Sequence, residues 1–220
     1  MTAWRLVPEE RLELYSPIGL RLLDELTGAA PAGAVHAFLD RGDSPNVWIS
    51  TDIKPVRTPG GVVAYPGLGR TSQPAGKPPV NYRVRLEADY YIPLYRATAG
   101  GIPFAAYPYN DSLPPQVITG QPQDALLAPA PNYPFPSHVP VVRGKVVDQS
   151  NTEVSDVLVM WANQERVITS ERGVFALPLR LAANNTPITI DAIDQRTGRS
   201  GNVTITPPAD LRKSWTITIS

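Results

Sequence analysis

The sequence predicts an all-β chain of two tandem small β-sandwiches, transthyretin-like or immunoglobulin-like, joined by a proline-rich linker. Three observations carry that prediction. The 220 residues are broken by 25 prolines and 16 glycines, which leaves little room for long helices. The runs between these breaks are rich in Val, Ile, Thr and Tyr, and several alternate in polarity, as half-buried strands do. Helical periodicity is confined to the short segment Pro8 to Tyr15.

In chain order, residues 1–15 precede any strand pattern and carry Trp4, Leu6, Val7, Leu12, Leu14 and Tyr15. Residues 16–110 hold a first module. Its strands are expected at Leu20 to Asp24, Val35 to Leu39, Val56 to Pro66 and the alternating Tyr82 to Ala88, with loop insertions around Asp40 to Ser50 and Leu68 to Pro79. Residues 111–140 are rich in proline and nearly free of charge, the composition of a semi-rigid spacer. Leu126, Leu127, Tyr133 and Phe135 make this stretch unusually apolar for a free linker, so much of it should lie against a module or a partner.

Residues 141–220 hold the second module. Val141 to Asp148 and Val157 to Trp161 read as two strands joined by a polar turn. Arg166 to Thr169, the turn Ser170 to Gly173, and Val174 to Leu177 read as a hairpin with glycine where a positive φ is cheap. Ile188 to Ala192 and Val203 to Ile205 follow, and in the last strand Trp215, Ile217 and Ile219 share one face. The expected core is Val146, Val157, Val159, Phe175, Leu177, Ile188, Ile190, Val203, Trp215 and Ile217.

The order Gly144-Lys145-Val146-Val147-Asp148, a Val-rich strand, then Thr169-Ser170-Glu171-Arg172-Gly173-Val174-Phe175-Ala176-Leu177 resembles the carboxypeptidase regulatory-like family over about residues 139–220. That resemblance implies a transthyretin-like sandwich with no peptidase site, acting as an accessory fold that stabilises or binds. One departure is an expanded loop over Asp191 to Asn202. The first module repeats the plan loosely: Leu20 to Asp24 parallels the first strand, Val35 to Leu39 the second, and Val56 to Pro66 the segment Val167 to Pro178.

The chemistry in the sequence is sparse. With no cysteine, disulfides and thiolate metal sites are excluded. His36 and His138 form no zinc motif and are read as packed or solvated side chains. No G-x-S-x-G elbow is present, and Gly60-Gly61 and Gly67 to Arg70 are turns, not phosphate cradles. The acids Glu9-Glu10, Asp40/Asp43 and Asp191/Asp194 are read as solvated loop groups. Arg41-Gly42-Asp43 resembles an integrin-binding tripeptide, but three residues match by chance too often to count. No catalytic residue, metal or cofactor is expected.

Twenty basic residues balance 20 acidic ones, so the basic surplus of nucleic-acid binders is missing. No segment approaches the length of a membrane span, and no secretory signal is present, so synthesis and assembly are expected in the cytoplasm, with release as part of a particle allowed. A neutral chain with 18% charged residues has little self-repulsion.

These features point to a non-catalytic structural or assembly protein whose partners are other protein subunits, copies of itself included. In style it resembles an accessory component of a phage tail or contractile injection system. Docking is expected through Trp4, Leu6, Val7, Leu12, Leu14, Tyr15, Tyr133 and Phe135, since apolar residues without a core need cover. The competing arrangement folds residues 1–15 back over their own module. An alternative function is a carbohydrate or cell-surface binding module, resting on Tyr90, Tyr91, Tyr95, Phe104, Tyr107 and Tyr109. An accessory pair clipped from an enzyme is disfavoured by Met1 and the complete final strand.

Overall fold

The computed structural model describes residues 14–44, 47–115, 121–162, 164–182 and 185–220. Among these, helical structure is limited to two 3-10 turns, Leu94–Ala97 and Ala209–Arg212, and everything else regular is strand. The chain is all-β.

The first unit contains β1 (Gly19–Asp24), β2 (Val35–Ser44), β3 (Val47–Ser50), β4 (Val56–Arg57), β5 (Val62–Ala64), β6 (Val80–Ala88), β7 (Tyr91–Pro93), β8 (Ile102–Ala106) and β9 (Gln123–Pro129). They form two sheets, ordered β4-β5-β1-β9-β7 and β3-β2-β6-β8. Alternation in each strand sends Leu20, Leu22, Leu39, Val84, Leu86 and Leu127 into one core between the sheets.

The second unit contains β10 (Val141–Asp148), β11 (Leu158–Trp161), β12 (Glu165–Ile168), β13 (Val174–Pro178), β14 (Ile188–Ile193), β15 (Ser200–Ile205) and β16 (Ser214–Ile219). Its sheets are β13-β10-β16 and β12-β11-β14-β15. The expected core is observed: eight of the ten residues are buried together, and Val203 and Trp215 pack against them half-buried.

The two units share one topology. In each, the first strand pairs antiparallel with a later strand, β5 or β13, and parallel with the last, β9 or β16. The facing sheet is antiparallel throughout, and β3-β2-β6-β8 matches β12-β11-β14-β15 strand for strand. The two strand orders correspond, with β4 and β7 as additions to the first unit, but the counterpart of β12 is β3 (Val47–Ser50) and not the start of the segment Val56 to Pro66 that the sequence suggested.

Four expectations need correction. The proline-rich segment is not a spacer throughout: Gln123–Pro129 is an inner strand of the first unit's sheet, with Leu20 opposite Gln123 and Asp24 opposite Leu127. Pro129 is tolerated because it ends the strand. The supposed hairpin at Ser170 to Gly173 is an arch, since β12 pairs with β11 and β13 with β10 in the opposite sheet. Gly173 is needed there, with φ at +66° and a Cβ that would lie 2.6 Å from the Val146 carbonyl oxygen. The stretch Asp40 to Ser50 is largely the β2–β3 hairpin, not a loop. No expanded loop lies between Asp191 and Asn202 either. β14 continues to Ile193, β15 starts at Ser200, and Asp194 pins the short turn by accepting hydrogen bonds from Thr197 Oγ1 at 2.6 Å and Arg199 Nη2 at 3.0 Å.

Candidate functional site

Of the residues expected to dock partners, Trp4, Leu6, Val7 and Leu12 lie outside the described residues. Leu14 is exposed. Tyr15 turns onto its own module, edge-on to Tyr109 with ring centroids 5.4 Å apart, and its carbonyl accepts the Gly67 N–H. Tyr133 also serves its own chain, packing on the first core and donating from its hydroxyl to Asp24 Oδ2 at 2.8 Å. Phe135 sits 4.8 Å from the Tyr133 ring. The tyrosine-rich group is not one surface: Tyr91 and Tyr109 are buried, while Tyr95 and Phe104 pack against the core. Tyr90 stays exposed.

Two features unforeseen from the sequence stand out. The first is the outer face of β3-β2-β6-β8. Core residues Leu39 and Val84 alternate with outward Phe38, Asp40, Arg83 and Arg85. Asp40 faces outward yet is only 2% exposed, because Arg85 donates to it from Nε at 2.7 Å and Nη2 at 3.1 Å, and Arg83 from Nε at 2.9 Å. The Arg83 guanidinium lies 4.9 Å from the centre of the Trp48 ring, and that of Arg85 lies 5.6 Å from Phe38. Burial pushes the Asp40 carboxyl up, but hydrogen bonds from Arg85 and Arg83 outweigh it and hold the group below its ordinary range. Asp40 is thus no solvated loop acid. The run Arg83-Val84-Arg85-Leu86 did signal two arginines on one strand face; their acidic partner on β2 could not be paired from sequence.

The second feature is the junction between the units. Ile92, Ala97 and Ala130 of the first bury against Leu158 and Ile168 of the second, with Leu94 and Met160 at the margin. Polar contacts surround this apolar centre. Glu25 meets Arg166 at 2.8 Å, and Arg180, held by the buried Glu165 at 2.7 Å, donates to the Leu26 carbonyl. Asp156 stands between Arg96 and Arg196, each 2.8 Å away. Its Oδ1 accepts no aligned hydrogen bond among the described residues, so the Arg96 contact there is one of charge. Arg85, Arg96, Arg196, Glu87 and Tyr95 line an open groove of about 550 Å³ beside this ion pair.

Among the described residues, no group of three or more His, Asp or Glu side chains could hold a metal ion. His36 and His138 are both exposed. No described helix is long and apolar enough to cross a membrane.

No family model matches the chain, so the likeness of residues 139–220 to the carboxypeptidase regulatory-like family remains one of sequence pattern. No curated protein matches it. Among solved structures the chain is similar to the Bacillus anthracis TIE protein, at 13% identity and a TM-score of 0.28 over 94% of this chain. It is also similar to a streptococcal ancillary pilin, at 12% and 0.26 over 92% of this chain and 67% of that one. A C-terminal fragment of the pilus adhesin SpaC from Lactobacillus rhamnosus GG gives 13% and 0.22, covering 92% of this chain and 95% of that one. The chain spans 33% of the TIE protein's length. Likeness at these values adds nothing to the β-sandwich architecture already described.

Proposed function

We propose that this chain is a non-catalytic structural subunit, in which two sandwiches lock into one body that works through protein-protein contacts. The observation that carries the reading is the junction. An apolar centre at Ile92, Leu158 and Ile168, ringed by the Glu25–Arg166 and Arg96–Asp156–Arg196 contacts, makes the relative placement of the units a fixed property of the chain. A fixed spacing between two outer faces suits a part that must hold neighbours in register. The buried carboxylates support the same reading, since Asp24, Asp40, Glu165 and Asp194 each accept hydrogen bonds that hold the fold together. A phage tail or contractile injection system, the setting the sequence suggests, is one such assembly.

Native sedimentation of an extract from the source cells tests this. The chain should travel in a particle far larger than its own 23.9 kDa, unchanged by nuclease or glycosidase treatment. Recovery only as a free monomer would overturn the proposal.

A further inference from the structure

We infer that the outer face of β3-β2-β6-β8 is covered by a second copy of this chain, which docks there with the loop end of its second sandwich. This rests on the assembly reading above and names its partner and surface.

The repeat supplies the argument. The sheet β12-β11-β14-β15 is the counterpart of β3-β2-β6-β8, and inside the chain its outer face is already covered. Leu158 and Ile168 are buried there by the first unit, with Met160 half-buried beside them. The covering surface is one end of that unit: Glu25 and Leu26 after β1, Leu94 and Ala97 between β7 and β8, and Ala130 after β9. Among the described residues, no element of this chain packs over the equivalent outer face of the first unit, although its composition is that of a binding surface. Trp48 and Phe38 lie over Arg83 and Arg85, and Trp and Arg are the side chains that most often dominate binding energy.

The bordering edge adds to this. Of nine large apolar side chains that stand most exposed among the described residues, four fall between Val47 and Val56: Val47, Ile49, Ile53 and Val56, at 43 to 54%. The edge strand Val-Trp-Ile-Ser carries no charge or proline to block pairing, a protection that natural edge strands usually have.

The occupant follows from the same repeat. In the second unit, the end equivalent to the covering surface comprises the β10–β11 connection, the β14–β15 turn and the end of β16. It is concave, with about 220 Å³ between Asp148, Gln149, Ser150, Arg199 and Ile219. A chain of zero formal charge brings no net repulsion to such a contact. Because face and end are different patches, the contact is heterologous and propagates from copy to copy instead of stopping at a dimer.

The chain's lack of cysteine makes the test direct. Ser50→Cys and Gln149→Cys, both exposed positions, are prepared separately, mixed and oxidised. The expected result is a mixed disulfide that exceeds both homodimers. Sedimentation of the unmodified chain should show a mass that climbs beyond dimer with concentration, and Trp48→Ala should weaken this association at least tenfold. If Trp48→Ala also lowers the melting temperature, Ser50→Arg replaces it with the same expectation. A chain that stays monomeric up to about 1 mM, or association lost on deleting residues 1–15 but unchanged in both face variants, overturns the inference. In either case a large native particle in the extract would leave the assembly reading standing.

Discussion

The Tyr133 hydroxyl donates to Asp24 Oδ2 at 2.8 Å across 109 residues of chain, and so fastens the connector between the sandwiches to the first of them. Asp24 Oδ1 meanwhile accepts the Leu26 N–H at 2.7 Å, and Tyr91 donates to Oδ2 at 3.3 Å. Tyr133→Phe removes one donor and keeps the ring's packing. Urea denaturation should show a loss of about 1 to 2 kcal/mol.

Tyr65 is 1% exposed, and its hydroxyl has no hydrogen-bond partner among the described residues. Burial, with a smaller contribution from the Asp40 charge, pushes this phenol up to about 12. The folded value lies above the unfolded one of about 10, so the stability linked to Tyr65 is complete below about pH 10 and is lost as pH rises towards about 12. Tyr65→Phe should leave the chain at neutral pH as stable or more so, by up to about 1 kcal/mol. It should also flatten the fall in melting temperature above pH 10.

For Asp40 the sign is reversed. Its depressed folded value means that the stabilisation is present above the unfolded value of about 4 and is lost as pH falls through the folded one. Asp40→Asn leaves Arg83 and Arg85 side by side without their counter-charge. Because both arginines are partly exposed, the loss at pH 7 should be about 2 kcal/mol, below that of a fully buried pair. The gap between variant and parent should narrow below about pH 4, as urea curves across pH would report.

Gly144 lies where β10 passes under Phe175 and beside β16. A Cβ there would come 2.8 Å from Phe175 Cζ and collide with the Trp215 carbonyl. Gly144→Ala should therefore cost about 3 kcal/mol by overpacking, and Phe175→Ala, which empties the centre of the same core, about 3 to 5. Thermal unfolding followed by tryptophan fluorescence measures both. An unshifted transition in either variant would contradict the packing described.

Ile168 is fully buried at the junction, and Ile168→Asp should uncouple the sandwiches. Calorimetry of the parent chain is expected to give one cooperative transition. The variant is expected to give two, because each unit has its own core.

Strands with local signals were legible in the sequence, and partnerships between distant strands were not. Trp215, Ile217 and Ile219 declared their face by alternation, and Gly173 declared its turn. Whether β12 and β13 would pair or part company at that turn depended on β10 and β11, which no local pattern reports. Leu126 and Leu127 were visibly too apolar for a free linker, but the prolines around them hid a strand whose pairing with β1 is parallel and remote. The site followed the same rule. Arg83 and Arg85 were readable as neighbours on one face, whereas Asp40 became their partner only through the β2–β6 register, in which it stands opposite Arg83.

The parallel pairing of first and last strands has a consequence for how each unit is made. Arg21 and Asp124, which bond across β1 and β9 at 2.6 Å, are 103 residues apart. β1 must therefore wait for almost the whole first unit before its second neighbour arrives, with the entropy of a long loop spent before that pairing rewards it. During synthesis the nascent chain holds Leu20 and Leu22 on a strand with one unsatisfied side until residue 129 has left the ribosome. A fragment ending at residue 110 would be frozen at that stage, its β1 flank open to strands of other chains, and should aggregate where a fragment ending just after Ala130 stays in solution.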